Sequence, residues 1–172
     1  AQPFYERAVE ADASVEAAAA AQIGEAHLLV GDGVRAKAAL ERSLEIAGPT
    51  SPRLRALAKA ERVAGDVEAA YQRYNEALGL DDSDSVTLRE LGALYAEAQR
   101  SDSALPLIES AVALSPDDPR ANRALAKLLH ARGEPQRALA YYDHTVARGA
   151  AEPEDLREMA AVQSELGNPE AA

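Results

Sequence analysis

Four arginines recur at one fixed interval: Arg55, Arg89, Arg123 and Arg157 each follow the last by 34 residues. Lys59 and Lys127 lie four residues beyond the first and third of them, one turn along the same helical face. Arg62, Arg120 and His130 add to the same stretches. The chemistry open to such a set is recognition of carboxylates. A guanidinium presents a planar fork of donors that can bind a carboxylate through two parallel hydrogen bonds, and it stays charged at physiological pH. The set stands out because the 172-residue chain is acidic, with 18 basic against 29 acidic side chains and a net charge of −11.

Other chemistries find less support. His27, His130 and His144 lie far apart without paired ligand spacing, and cysteine is absent, so neither a metal site, a cofactor nor a disulfide framework is expected. The run Asp81-Asp82-Ser83-Asp84 looks like a calcium loop but lacks the glycine and terminal glutamate of an EF-hand, and reads as a solvated link. Tyr141-Tyr142 looks like a stacking platform, yet Tyr142 falls in a core column. No glycine-rich phosphate loop, nucleophile elbow or pair of catalytic carboxylates occurs, so catalysis is not expected. The acidic balance argues against nucleic acid as the main partner. No run of 18 apolar residues exists to span a membrane. Three lysines beside fifteen arginines, with abundant alanine, resemble the bias of a GC-rich bacterial genome, in either cytoplasm or periplasm.

The elements that must position the basic column follow the same clock. From Ser85 to Asp118, Leu88, Leu91 and Tyr95, then Ala104, Ile108, Ala111 and Leu114, recur at three and four residues, as on one face of a helix. Laid out in steps of 34, the chain gives full units 17–50, 51–84, 85–118 and 119–152, flanked by half units 1–16 and 153–172. The twentieth place holds Ala36, Ala70, Ala104, Ala138 and Ala172, and the eighth Gly24, Ala58, Gly92, Ala126 and Ala160. Small residues at both places let paired helices approach closely. The seventh place holds Ile23, Leu57, Leu91, Leu125 and Met159; the twenty-fourth holds Leu40, Tyr74, Ile108 and Tyr142, with Tyr5 as counterpart. Gly31, Gly65, Gly133 and Gly167 stand where a first helix must end. Ser51-Pro52 and Asn168-Pro169 read as helix starts.

This pattern resembles the tetratricopeptide repeat family over the whole chain. The resemblance implies an all-α, right-handed superhelical solenoid of antiparallel helix pairs, forming a single array and a fragment of a longer one. The bulky aromatic of the family's first helix is missing, and its closing proline survives only as Pro116. Expected helices run about 1–14, 16–30, 34–46, 52–64, 67–79, 85–98, 102–114, 119–131, 135–147 and 153–166. Phe4, Tyr5, Ala8 and Val9 are expected to face inward, and a break in the period falls near Ser14–Val15. Asn122 and Arg148 occupy usually apolar places, and Pro106 is expected to bend or delay its helix.

In this family the first helices line a concave groove, and the second, fifth, ninth, twelfth and thirteenth places face it. The resemblance therefore gathers Arg55, Lys59, Arg62, Arg89, Arg120, Arg123, Lys127, His130 and Arg157 in the groove, as anchors for an acidic or extended peptide. Neighbouring helices about 8–10 Å apart would make the four arginines a ladder roughly 30 Å long. The alternative is a solvated groove, with Arg89 neutralised by Glu90 and Glu97, and Arg157 by Glu154, Glu158 and Glu165; the second and fourth units are expected to lack such partners. The family's two-carboxylate clamp is not expected, since its asparagines are replaced by Lys59 and Glu90, or Lys127 and Glu158. Three functions remain open: a non-catalytic protein-binding scaffold, a bacterial envelope or polysaccharide-secretion assembly module, and an accessory segment of a larger enzyme. Uncapped ends predict end-to-end self-association.

Overall fold

The computed structural model describes the backbone of residues 2–167 and the side chains of residues 12–167. Among the described residues the chain is all helical, with no strand. It divides into two compact units, Ala1–Asp82 and Ser83–Ala172.

The first unit holds α1 (Gln2–Leu29), α2 (Gly33–Ala47), α3 (Ser51–Val63) and α4 (Val67–Leu80), each packed on the next, with α1 also against α3. The second holds α5 (Ser85–Glu97), α6 (Ser101–Leu114), α7 (Pro119–Ala131), α8 (Pro135–Ala147) and α9 (Pro153–Glu165), again packed in sequence. There α5 also packs beside α7, and α7 beside α9. The first helices of successive repeats are thus neighbours, as helix-pair repeats require.

The small-residue columns make the close approach. Ala36, Ala70, Ala104 and Ala138 are fully buried, and Leu40, Tyr74, Ile108 and Tyr142 are about as buried one turn later. A methyl group at Gly24 would lie 2.5 Å from Leu40 Cγ, and one at Gly92 the same distance from Ile108 Cγ1. Where the eighth place is alanine, at 58 and 126, the facing twenty-fourth place is tyrosine. A flat ring leaves room for a Cβ that a branched aliphatic chain occupies.

Helix ends follow local chemistry. Asp32, Asp66, Asp84 and Asp118 cap α2, α4, α5 and α7 with side-chain oxygens that accept backbone N–H bonds. Asp84 belongs to the run read as a solvated link, and it also accepts from the Thr87 hydroxyl at 2.7 Å. The residue after α5 that matches Gly31, Gly65, Gly133 and Gly167 is Gln99, which adopts a left-handed φ of 59° in place of a glycine. Asn122 is buried because its side-chain amide donates to the carbonyls of Pro116 (2.7 Å) and Asp118 (2.9 Å).

The structure corrects several sequence expectations. Helix α1 runs unbroken from Gln2 to Leu29, where a break near Ser14–Val15 was expected. Asp12-Ala13-Ser14 contains no glycine or proline, and the alanines beyond it are the best helix formers. Ile23, placed in the core by its column, is 54% exposed. The cap of α3 is Thr50 rather than Ser51, so Pro52 sits one place further in. Helix α6 begins at Ser101 and continues through Pro106, which delays nothing. Phe4, Tyr5, Ala8 and Val9 as side chains, and Asn168-Pro169 and Ala172, lie outside the described residues.

Candidate functional site

In the second unit, α5 and α7 lie side by side and enclose a pocket of about 490 Å³. Ala93, Ala96, Ala124 and Leu128 supply apolar lining, with Ile108 beneath; Arg89, Arg120, Arg123 and Lys127 supply positive charge against the single carboxylate of Glu97. Each cation comes from the helical face that the 34-residue period predicts.

Two of these cations are held by the protein itself. Arg123 Nε and Nη2 donate to Asp155 Oδ1 and Oδ2 at 2.5 and 2.7 Å, and Nη1 donates to Glu152 Oε1 at 3.1 Å. Lys127 Nζ donates to Glu154 Oε1 at 2.6 Å. His130 Nε2 lies 3.1 Å from Glu165 Oε1 as well. All four acids belong to α9 or its cap. The expectation that the fourth unit carries no neutralising partners is therefore wrong, because they come from the next first helix. Arg55, Lys59 and Arg62 of the second repeat also make polar or electrostatic contacts within the protein.

Arg89 follows the same plan more loosely. Its Nε lies 3.4 Å from Asp118, the cap of α7, and its Nη2 lies 3.5 Å from Glu90. These are charge contacts, since the buried Nε finds no hydrogen-bond acceptor among the described residues. The arginine column thus ties each first helix to the start of the next, from α5 to α7 and from α7 to α9. Arg157, at the same place in α9, is exposed and donates to the Pro153 carbonyl at 3.3 Å. Arg120 differs from all of these. Its side chain is exposed and makes no hydrogen bond or ion pair with the described residues.

Asp155 is the residue that sequence reasoning missed. It is 1% exposed, and besides holding Arg123 it accepts the Glu152 backbone N–H at 2.8 Å, closing the first turn of α9. Burial pushes its carboxyl up, but the Arg123 guanidinium and the Glu152 N–H outweigh that and leave it below the ordinary value. A signal was available: Glu152 and Asp155 flank Pro153-Glu154 with the spacing of a capping box.

In the first unit, Arg55 and Lys59 of α3 face Glu25, Leu28 and Leu29 of α1 across a pocket of about 400 Å³. Behind them Glu61 is buried, with Arg73 Nε at 3.6 Å and Lys37 Nζ at 3.8 Å. Its Oε2 lacks a hydrogen-bond partner, and burial raises its pKa more than the two cations lower it. His27, expected in the core, is half-buried. Among the described residues no group of three or more His, Asp or Glu side chains could hold a metal ion, and no helix is long and apolar enough to cross a membrane.

Stacked helix pairs, a small-residue spine and first helices lining a pocket define a repeat scaffold of the kind that mediates protein interactions. The chain belongs to the tetratricopeptide repeat family, whose model matches residues 63–128 and 96–166. The structure of Pseudomonas aeruginosa PilF is similar with a TM-score of 0.83 and 23% identity, covering 91% of this chain and 71% of PilF. MamA from Desulfovibrio magneticus matches at 0.75 and 18%, covering 90% and 88% of the two chains. A chain of the APC/C Cut9–Hcn1 hetero-tetramer matches at 0.75 and 19%, covering 83% of this chain and 29% of that one. At these identities the likeness is one of fold. No curated protein sequence matches.

Proposed function

We propose that the chain is a non-catalytic scaffold that holds an extended, acidic segment of a partner protein in the α5–α7 groove. The observation that carries this reading is the pocket itself. Its alanine-rich lining lets a peptide main chain come close, while the exposed Arg120 and partly exposed Lys127 stand at its edge. Arg120 supplies the first carboxylate contact. Lys127 supplies a second by exchanging Glu154, an exposed ion pair worth at most ~1 kcal/mol, for a carboxylate of the ligand. Arg123 is committed to Asp155 and positions α9 rather than the peptide. The readings as an envelope assembly module or an enzyme accessory segment have no side-chain arrangement in their favour.

Fluorescence polarisation with labelled octapeptides, alternating Glu-Leu against Lys-Leu, tests this. The acidic peptide should bind more tightly, and Arg120→Ala and Lys127→Ala should each weaken it about tenfold, as expected for loss of a charged hydrogen bond. Equal affinity for both peptides, or variants that bind like the parent, would sink the groove reading.

A further inference from the structure

The α5–α7 pocket changes character along its length. Arg89 reaches Asp118, the cap of α7, so the two helices run side by side with the same end forward. Their residues can therefore be set level in the 34-residue register. The four cations of the lining stand at Lys127 or nearer the helix starts. Lys127 also leans back toward that end, since its Nζ lies 2.6 Å from Glu154 in the first turn of α9. Beyond Lys127 no lining residue is basic. There α7 offers Leu128 and Ala131, α5 offers Ala96 and Glu97, and the chain after α5 offers Gln99 and Ser101. Helix C-termini add partial negative charge to the same end. The pocket is thus basic at one end and apolar, with one carboxylate, at the other.

A segment that suits both ends must keep its acids apart from its apolar side chain, and the helix rise sets how far. Arg120 and Leu128 are eight residues apart on α7, about 12 Å along its axis. In an extended peptide every second side chain faces the same way, and four residues span about 13 Å. We propose, resting on the groove reading above, that the bound segment carries the pattern acid-x-acid-x-aliphatic, in one chain direction or the other. The first acid lies over Arg120, with Arg89 behind it, and the second meets the Lys127 ammonium. The aliphatic side chain settles between Ala96 and Leu128, above Ile108. Ala93 and Ala124 leave room for the main chain between the two ends. Glu97 repels a third acid at the far end, so the groove selects the order of the residues as well as their charge.

Terminally blocked peptides of seven residues, with serine as filler, test this by fluorescence polarisation. Two carry the pattern in its two directions, Ser-Glu-Ser-Glu-Ser-Leu-Ser and Ser-Leu-Ser-Glu-Ser-Glu-Ser. Their isomer Ser-Glu-Ser-Leu-Ser-Glu-Ser has the same composition and charge but must set leucine among the cations or an acid beside Glu97. One of the first two should bind about tenfold more tightly than the isomer, and replacing its leucine by serine should lose the same factor. Glu97→Lys, at an exposed position, should tighten the isomer more than the favoured peptide, with helicity unchanged. Equal affinity for all three peptides, with Arg120→Ala still weakening each, would overturn the pattern and leave the groove reading standing. A gap between isomers that Glu97→Lys does not narrow would overturn the assignment of the far end. No binding by any of them, nor by the acidic octapeptide, would take down both readings.

Discussion

Arg123 and Asp155, 32 residues apart, face each other as two parallel forks, each guanidinium N–H aimed at its own carboxylate oxygen. The Asp155 side chain is buried while the Arg123 side chain keeps 19% of its surface exposed. The pair therefore sits at the floor of the groove, where a ligand would have to break it to use it.

Removing either partner leaves a charge without compensation where water cannot reach it well. Arg123→Ala or Asp155→Ala should each cost the second unit about 3 kcal/mol in urea unfolding. The double variant should cost clearly less than the sum. Because the folded Asp155 carboxyl lies below its ordinary value of 3.8, its contribution is present above that pH and lost as pH falls through the folded value. Acid titration of stability should therefore be steeper for the parent than for Asp155→Asn.

The alternation of glycine with branched aliphatic and alanine with tyrosine predicts a coupled pair. Gly92→Ala should destabilise by about 2 kcal/mol, since its Cβ would press on Ile108 at 2.5 Å. Combined with Ile108→Tyr, the same change should cost less than it does alone, as the chain tolerates at Ala58 and Tyr74. Urea midpoints of the four proteins in the cycle decide it, and strict additivity would refute the steric account.

Gln99 holds a left-handed backbone that glycine holds at the matching turns. Gln99→Gly should stabilise the α5–α6 hairpin by about 1 kcal/mol, the lifted Cβ strain exceeding glycine's entropy in the unfolded chain. Thermal melts read this directly, and a lowered midpoint would show that the glutamine side chain matters more than its φ.

How much of this was written in the sequence depends on how far each interaction reaches. The small columns were legible because Ala104 and Gly92 satisfy a steric need that recurs every 34 residues. Thr50 displaced Ser51 as a cap because neighbouring hydroxyls compete and only backbone geometry chooses. Ile23 misled because a column transfers identity but not surroundings: Leu57 is buried in a cluster with Ala36 and Leu40 of α2, whereas Ile23 has no such cover among the described residues. The carboxylates facing Arg123, Lys127 and His130 lie 27 to 35 residues away on another helix, a distance that local spacing rules do not cover.

Because Arg89 and Arg123 each meet an acid at the head of the following first helix, the repeats of the second unit are not interchangeable beads. The α7 repeat needs a successor that opens with Glu152 and a buried Asp155, while the α5 repeat needs one that opens with Asp118 and an alanine at 121. Exchanging those successors would strand a carboxylate or a guanidinium at the seam. The order of the units is thus encoded at their joints, and a deletion or duplication would have to respect whole matched seams to leave the stack intact.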